Sequence, residues 1–184
     1  MKFKLLLVMI PALLAAATAP AISQKSSVNP ANAREASDLL RDVRLGALEI
    51  NDDASEIGQF ASDSNIDWQT HAAKLTEIRD QINDMGHSLD VLQAIQAAAL
   101  PWQRDALERT VPLVRLMAGN VTAAINYLSR NKEYLFNSQY GLYQANLVKQ
   151  SKELGDMLRD FEELANDQQK DTQIRKKLGI DNHD

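Results

Sequence analysis

His71 is the residue of this sequence whose type and neighbours best fit a binding site. It lies in a predicted helix at an inward-facing position, and aromatic residues are concentrated towards the same end of the predicted fold. A histidine among aromatic rings could hold a small apolar or aromatic ligand, because such sites combine apolar walls with a few polar groups. The candidate ligand-binding residues are Phe60, Trp68, His71, Tyr127, Tyr140 and Tyr143.

The same aromatic end has a plainer structural interpretation. Helical bundles widen at their ends, and bulky rings fill the gap, with Tyr134 and Phe136 adding to it here. A closed cavity lined by Trp68, His71 and Tyr143 would favour ligand binding, whereas rings packed directly on one another would favour a structural role. If His71 lies in a closed apolar site, its pKa should be lowered, because burial disfavours the charged ring.

The sequence contains few residues suited to nucleophilic catalysis or to metal binding. The chain has no cysteine, and neither a Gly-x-Ser-x-Gly motif nor a glycine-rich phosphate loop occurs. The pattern Asp-x-x-His-x-x-Asp at 84–90 occurs once, whereas a di-iron bundle needs two Glu-x-x-His motifs and inward glutamates. Met85, Met117 and Met157 are typical of core packing rather than of haem ligation. The sequence therefore predicts no enzyme, no cofactor and no metal site.

Four stretches with apolar residues at alternating spacings of three and four predict the helices that position these residues. The first, from Ala33 to Ala61, is an unbroken, alanine-rich seam. Pro101 either begins the third helix or kinks one long helix, and both alternatives stay open. Long helices of about 33 residues with short connections predict an all-α, antiparallel up-down-up-down four-helix bundle with coiled-coil packing. The predicted helices span about 31–62, 66–99, 101–135 and 138–170 or beyond, with Gly179 as a C-cap of a longer fourth helix.

The inward faces of the last two helices are predicted from the same spacing. The third uses apolar residues only, whereas the fourth includes Ser151 and ends at Gln168. The predicted inward residues are Leu107, Val111, Val114, Ala118, Val121, Ile125, Leu128 and Leu135 on the third helix, and Leu147, Ser151, Leu154, Leu158, Phe161, Ala165 and Gln168 on the fourth.

The first 23 residues are typical of an export signal. Lys2 and Lys4 precede an apolar run at 5–17, and small residues follow, so cleavage is expected after Ala21 or Ser23. The run is shorter than the roughly 20 apolar residues of a membrane span, although an uncleaved anchor stays an alternative. The predicted organisation is a signal peptide at 1–23, a disordered leader at 24–29, the bundle at 30–178 and a flexible tail at 179–184.

The net charge of the chain argues against some classes of partner. Without Lys2 and Lys4, 18 basic residues stand against 25 acidic ones, a formal charge of −7, which argues against nucleic acid and anionic membranes. We therefore expect a periplasmic or extracellular, non-enzymatic protein that acts through protein contacts, as a scaffold, envelope or adaptor component, with a partner protein or with itself. The alternative function is a bundle that binds a small molecule or cofactor at the aromatic end around His71.

Overall fold

The computed structural model describes residues 29–60, 67–132 and 138–180, without the side chains of Phe60 and Ser138. Among these residues the chain is entirely helical and contains no strand, which confirms the all-α prediction for this part. The predicted signal segment and most of the leader lie outside the described residues. The helices are α1 (Pro30–Phe60), α2 (Trp68–Ile95), α3 (Pro101–Arg130) and α4 (Ser138–Leu178), with a 3₁₀ turn at Gln96–Ala98.

Side-chain caps set the starts of α1 and α2. Asn29 Oδ1 accepts a hydrogen bond from Ala31 N at 3.0 Å, and Pro30 occupies the first helical position, where no N–H is needed. Asp67 Oδ1 accepts from both Thr70 N and Thr70 Oγ1 at 2.9 Å. The structure therefore begins α2 at Trp68 rather than at 66, because Asp67 is its cap.

A short non-helical turn separates α2 from α3. The α-helix ends at Ile95, and Ala99 and Leu100 are extended, each with ψ of 155°. Pro101 disfavours helical geometry at the residue before it, which overrides the strong helix preference of the preceding alanines. The two helices are thus separate rather than one helix kinked at Pro101.

The C-terminus of α4 is capped at Gly179. This glycine has a positive φ of 66°, a conformation that costs little only without a Cβ. Gly179 N donates to Lys176 O at 3.3 Å and Ile180 N donates to Arg175 O at 3.0 Å, the two bonds of a Schellman motif. With 41 residues, α4 is longer than the predicted length and longer than α1, with 31.

Each helix packs against two main neighbours around one apolar core. α1 and α3 both pack against α2 and α4, while α1 and α3 touch each other little. In three neighbouring pairs, residue numbers rise along one helix as they fall along the other. The contacting pairs are Asp53–Lys74 and Gly46–Met85 for α1 and α2, Arg44–Glu162 and Asn51–Val148 for α1 and α4, and Arg109–Phe161 and Asn120–Gln150 for α3 and α4.

The buried face of α3 differs in part from the predicted one. Val111, Ala118 and Ile125 are only half-buried, and the residue just before each of them is buried instead. The buried face of α3 is therefore rotated by about one residue from the predicted face at these three positions, whatever the size or polarity of the side chain. The buried residues of α3 are Gln103, Ala106, Leu107, Thr110, Val114, Met117, Val121, Ala124 and Leu128.

The predicted inward face of α4 continues further towards the C-terminus than the buried face in the structure. Leu147, Ser151, Leu154 and Leu158 are buried, but Gln168 is exposed. No other described helix packs over this part of α4, so the predicted inward position there has no cover. None of the described helices is long and apolar enough to cross a membrane.

Candidate functional site

The centre of the aromatic end is a buried contact between His71 and Tyr140. His71 Nδ1 lies 3.1 Å from Tyr140 Oη, and the two residues are 1% and 0% exposed. Their rings meet edge to face, with centroids 5.6 Å apart. His71 lies in the first turn of α2 and Tyr140 in the first turn of α4, so this contact joins the starts of the two helices.

Burial keeps both groups of this pair neutral near pH 7. Burial lowers the pKa of His71, because the apolar surroundings disfavour the imidazolium, and the nearby charge of Asp67 offsets only part of this. Burial likewise raises the pKa of Tyr140 to about 12, with a smaller opposing effect of the Gln144 side chain. The pair is therefore a neutral hydrogen bond whose direction depends on the imidazole tautomer.

Two further tyrosines extend this contact towards α3 and along α4. Tyr127 stacks on Tyr140 with ring centroids 5.9 Å apart and an interplanar angle of 18°. Tyr143 lies against Tyr127 at 6.3 Å. We call His71, Tyr127, Tyr140 and Tyr143 the His71 cluster. The structure thus brings together four of the six residues predicted to bind a ligand.

The other two predicted ligand residues are placed differently. Trp68 is half-buried, and Lys132 Nζ lies 4.0 Å from its ring centroid in a cation–π contact. Phe60 is the last residue of α1, and its side chain lies outside the described residues, as do Tyr134 and Phe136. Trp68 is therefore the first residue of α2, three residues before His71.

Rings at these distances pack directly on one another. Edge-to-face and stacked contacts link His71, Tyr140 and Tyr127 in sequence. This arrangement is what a structural role requires, since the rings occupy the space that a ligand would need. Ligand binding at these residues stays a prediction, and it would need this cluster to open.

A second polar group, which sequence reasoning missed, lies at the other end of the fold. Gln103 is 0% exposed and its amide is fully hydrogen-bonded. Gln103 Nε2 donates to Ala33 O at 2.6 Å and Ser37 Oγ at 2.8 Å, and Gln103 Oε1 accepts from Leu100 N at 2.7 Å. This side chain therefore fastens the α2–α3 turn to the start of α1. The sequence signal for its burial was its position four residues before Leu107, on the same face of α3.

The C-terminal part of α4 extends beyond the other described helices. We call residues 166–180 the α4 extension; all of them are exposed. The extension and the turn of α4 before it carry large apolar side chains that no other described residue buries. These side chains are Leu164, Ile174, Leu178 and Ile180.

A crevice of about 810 Å³ runs along the base of the α4 extension. Its apolar wall includes Trp102 at the start of α3 and Leu164 on α4, and its polar wall includes Arg41 and Gln169. The side chains that line it come from α1, the α2–α3 turn and α4. Of the exposed apolar residues, Leu164 lines this crevice, whereas Ile174 and Leu178 do not.

Metal binding finds no support among the described residues, because no group of three or more His, Asp or Glu side chains is placed to hold an ion. Comparison of the chain with protein-family models, with curated proteins and with solved structures gave no match. The function is therefore argued from the residues themselves.

Proposed function

We propose that this chain is an exported, non-enzymatic protein, folded as an antiparallel up-down-up-down four-helix bundle, that acts by contact with a partner protein. The periplasm or the extracellular space is its proposed location, and a scaffold, envelope or adaptor role fits such a contact protein. The observation that carries the proposal is the uncovered α4 extension.

The antiparallel bundle is supported by the register of its contacts. Asn51 on α1 contacts Val148 on α4, and Arg44, earlier on α1, contacts Glu162, later on α4. The same reversal relates α1 to α2 and α3 to α4. Helices joined by short connections are expected to run in this way.

The α4 extension is a poor helix on its own. Isolated helices shorter than about 12–15 residues are marginal in water, and most helical stability comes from packing. The ion pairs Asp167–Lys170 and Asp171–Arg175 add only about 0.2–0.5 kcal/mol each. A helix of this kind gains most if a partner covers it.

The exposed apolar residues of this region lie on one side of α4. Leu164 and Leu178 are two heptads apart, and Ile174 precedes Leu178 by four residues, so all three point to the same side. Such a stripe is the pattern by which an amphipathic helix docks in a groove of another protein.

Site-specific photo-crosslinking in the native host tests this proposal. A photoreactive residue at Ile174, which is 53% exposed, should give one discrete protein adduct that mass spectrometry identifies. The matched control is the same residue at Leu116 on α3, which is 55% exposed and lies away from the extension. Equal adducts at both positions, or none at Ile174, would contradict the proposal.

The proposed export has its own test. Mass spectrometry of the protein from the envelope or medium should find a new N-terminus at Ile22 or Gln24, as expected for cleavage after Ala21 or Ser23. An intact N-terminus on protein recovered from the cytoplasm would contradict export while leaving the contact role open.

A second candidate function is small-molecule binding at the His71 cluster. The observation that favours it is a buried, neutral His–Tyr pair between stacked rings, which could recognise an aromatic ligand with one polar group. Indole serves as the probe in thermal melting. Binding at the cluster would raise the melting temperature of the wild type but not of His71→Gln; equal or absent shifts would exclude it.

A further inference from the structure

A second uncovered surface lies along the junction of α1 and α4, away from the α4 extension. It is a shallow groove of about 650 Å³. We call it the α1–α4 groove, and small side chains line most of it. The lining residues are Ala54, Ser55, Gly58, Gly141, Gln144, Ala145, Val148 and Lys149.

The small residues of the α1–α4 groove leave open space. Ala54 and Gly58 are four residues apart on α1, and Gly141 and Ala145 are four apart on α4, so each pair lies on one side of its helix. A Cβ added at Gly58 or Gly141 would meet nothing within 4 Å. Packing among the described residues therefore does not require either glycine, although each weakens its helix.

A buried polar group in this groove lacks a partner. Gln144 is only 4% exposed, yet its Nε2 makes no hydrogen bond with any other residue that the structure describes. Buried amides are nearly always hydrogen-bonded, because losing water without replacement is costly.

Opposite charges on the two rims of the groove are also unpaired. Asp52 on α1 and Lys149 on α4 are both exposed, and neither forms an ion pair with another described residue. Asn51 Nδ2 donates to Val148 O at 2.8 Å, so the neighbouring Asp52 and Lys149 lie within about 3 Å of each other along the helix axes. The α1 rim is thus acidic where the α4 rim is basic.

We propose that a second copy of this chain docks on the α1–α4 groove about a two-fold axis parallel to the helices. This rotation places α1 of one copy over α4 of the other at equal heights. Asp52 then faces Lys149 of the second copy, and the reciprocal pair forms by symmetry. Charge complementarity thus selects this occupant.

The same register matches the other features of the groove. Gly58 and Gly141 lie seven residues from Asn51 and Val148 in opposite directions, so they share one height and allow the two copies to approach closely. Ser55 lies at the height of Gln144 by the same count. The Ser55 hydroxyl donates to Asn51 O of its own helix, so it presents only a small, hydrogen-bonded side chain to the second copy.

The face formed by α1 and α4 is large enough for a stable dimer. With 31 residues, α1 is about 46 Å long at 1.5 Å per residue. Two adjacent helices of about 10 Å diameter therefore offer about 900 Å² per copy, close to the roughly 800 Å² per partner of a standard interface.

Sedimentation of the full-length protein over a concentration series tests this proposal. The wild type should change from 20.5 kDa to twice that mass as its concentration rises. Gly58→Gln and Gly141→Gln should raise the dimer dissociation constant by about tenfold or more, because their side chains fill the space needed for close approach. Gly119→Gln is the matched control, since Gly119 is an exposed, uncrowded glycine on α3.

A charge exchange tests the register independently. Asp52→Lys and Lys149→Asp should each weaken the dimer, because like charges then face each other across the interface. The double variant should recover wild-type association, since each pair again has opposite charges.

Three outcomes would overturn this proposal. They are a wild type that stays monomeric at every concentration, a dimer that both glycine variants leave unchanged, and a double charge variant that does not recover. The α4 extension is not used in this dimer, so Ile174→Ser should leave it intact. A dimer lost only in Ile174→Ser would refute the α1–α4 groove while supporting the α4 extension as a contact surface.

Discussion

His71 and Tyr140 form a hydrogen bond that burial makes both necessary and sensitive to pH. Both side chains are buried away from water, so each needs a hydrogen-bond partner inside the protein, and each provides one for the other. A neutral imidazole is tolerated there, whereas an imidazolium is not well solvated. Asp67 is the charged residue that opposes this effect.

Acidification should therefore destabilise the protein through His71. Its folded pKa is lowered from the ordinary 6.5, so below about pH 6.5 the unfolded chain binds a proton more readily than the folded one. The stability it contributes is complete above that pH and is lost as pH falls towards the folded pKa, by at most about 1.4 kcal/mol per pH unit. Urea unfolding at pH 7.5 and 5.5 measures this loss.

Two variants separate His71 from the rest of the chain in that experiment. His71→Gln keeps a polar group beside Tyr140 but cannot titrate, so the loss between the two pH values should shrink. His87→Gln removes an exposed histidine of the same helix and should leave the loss unchanged. An identical pH response in wild type and His71→Gln would show that burial of His71 does not govern it.

At the scale of elements, single residues outside the core hold the helix ends in place. Gln103 joins three backbone or hydroxyl groups from α1 and the α2–α3 turn. Asp67 and Gly179 act at other ends, as an N-cap and a C-cap. The positions of the helices thus depend on a few residues outside the apolar core.

Gln103→Leu should destabilise the protein by about 2–4 kcal/mol. The variant keeps the bulk of the side chain but leaves Leu100 N without its acceptor and removes the Gln103 donor from Ala33 O and Ser37 Oγ. Urea unfolding measures the change, and hydrogen exchange should also show faster opening of the first turns of α1. Gln93→Leu, at an exposed position of α2, is the control and should change stability by less than about 0.5 kcal/mol.

Gly179→Ala should loosen the end of the α4 extension. An alanine at φ of 66° costs roughly 1 kcal/mol, which weakens the Schellman motif. Amides at 174–178 should then exchange faster, while those at 147–158 stay unchanged. Gly119→Ala, in the interior of α3, should instead stabilise its helix, and an equal response of both variants would contradict this role for Gly179.

At the scale of the whole molecule, apolar spacing predicted the elements better than their exact contacts. The seam of α1 is unbroken, and Leu40, Ile50 and Ile57 are buried as predicted. On α3, Thr110 is buried where the neighbouring Val111 was expected, because depth in the core depends on how the neighbouring helices cross rather than on apolarity alone. The burial of Gln103 was not predicted because it, too, depends on how the neighbouring helices cross and not on the polarity of the residue.

Part of the candidate site was predictable as well. His71 and Tyr140 were expected at one end from the order of the helices, but their direct contact depends on the rotation and relative height of α2 and α4, which spacing does not fix. The exposure of Gln168 could not be read from α4 itself. It follows from the shorter reach of the other helices.

We propose the α4 extension as a contact surface, since no other described residue of the chain covers it. Hydrogen exchange of the purified protein, compared with the same protein in its native envelope fraction, tests this claim most directly. We predict rapid exchange at 166–180 in the purified protein and marked protection there in the native fraction, with 147–158 equally protected in both. Slow exchange at 166–180 in the purified protein, or no gain of protection in the native fraction, would contradict the account.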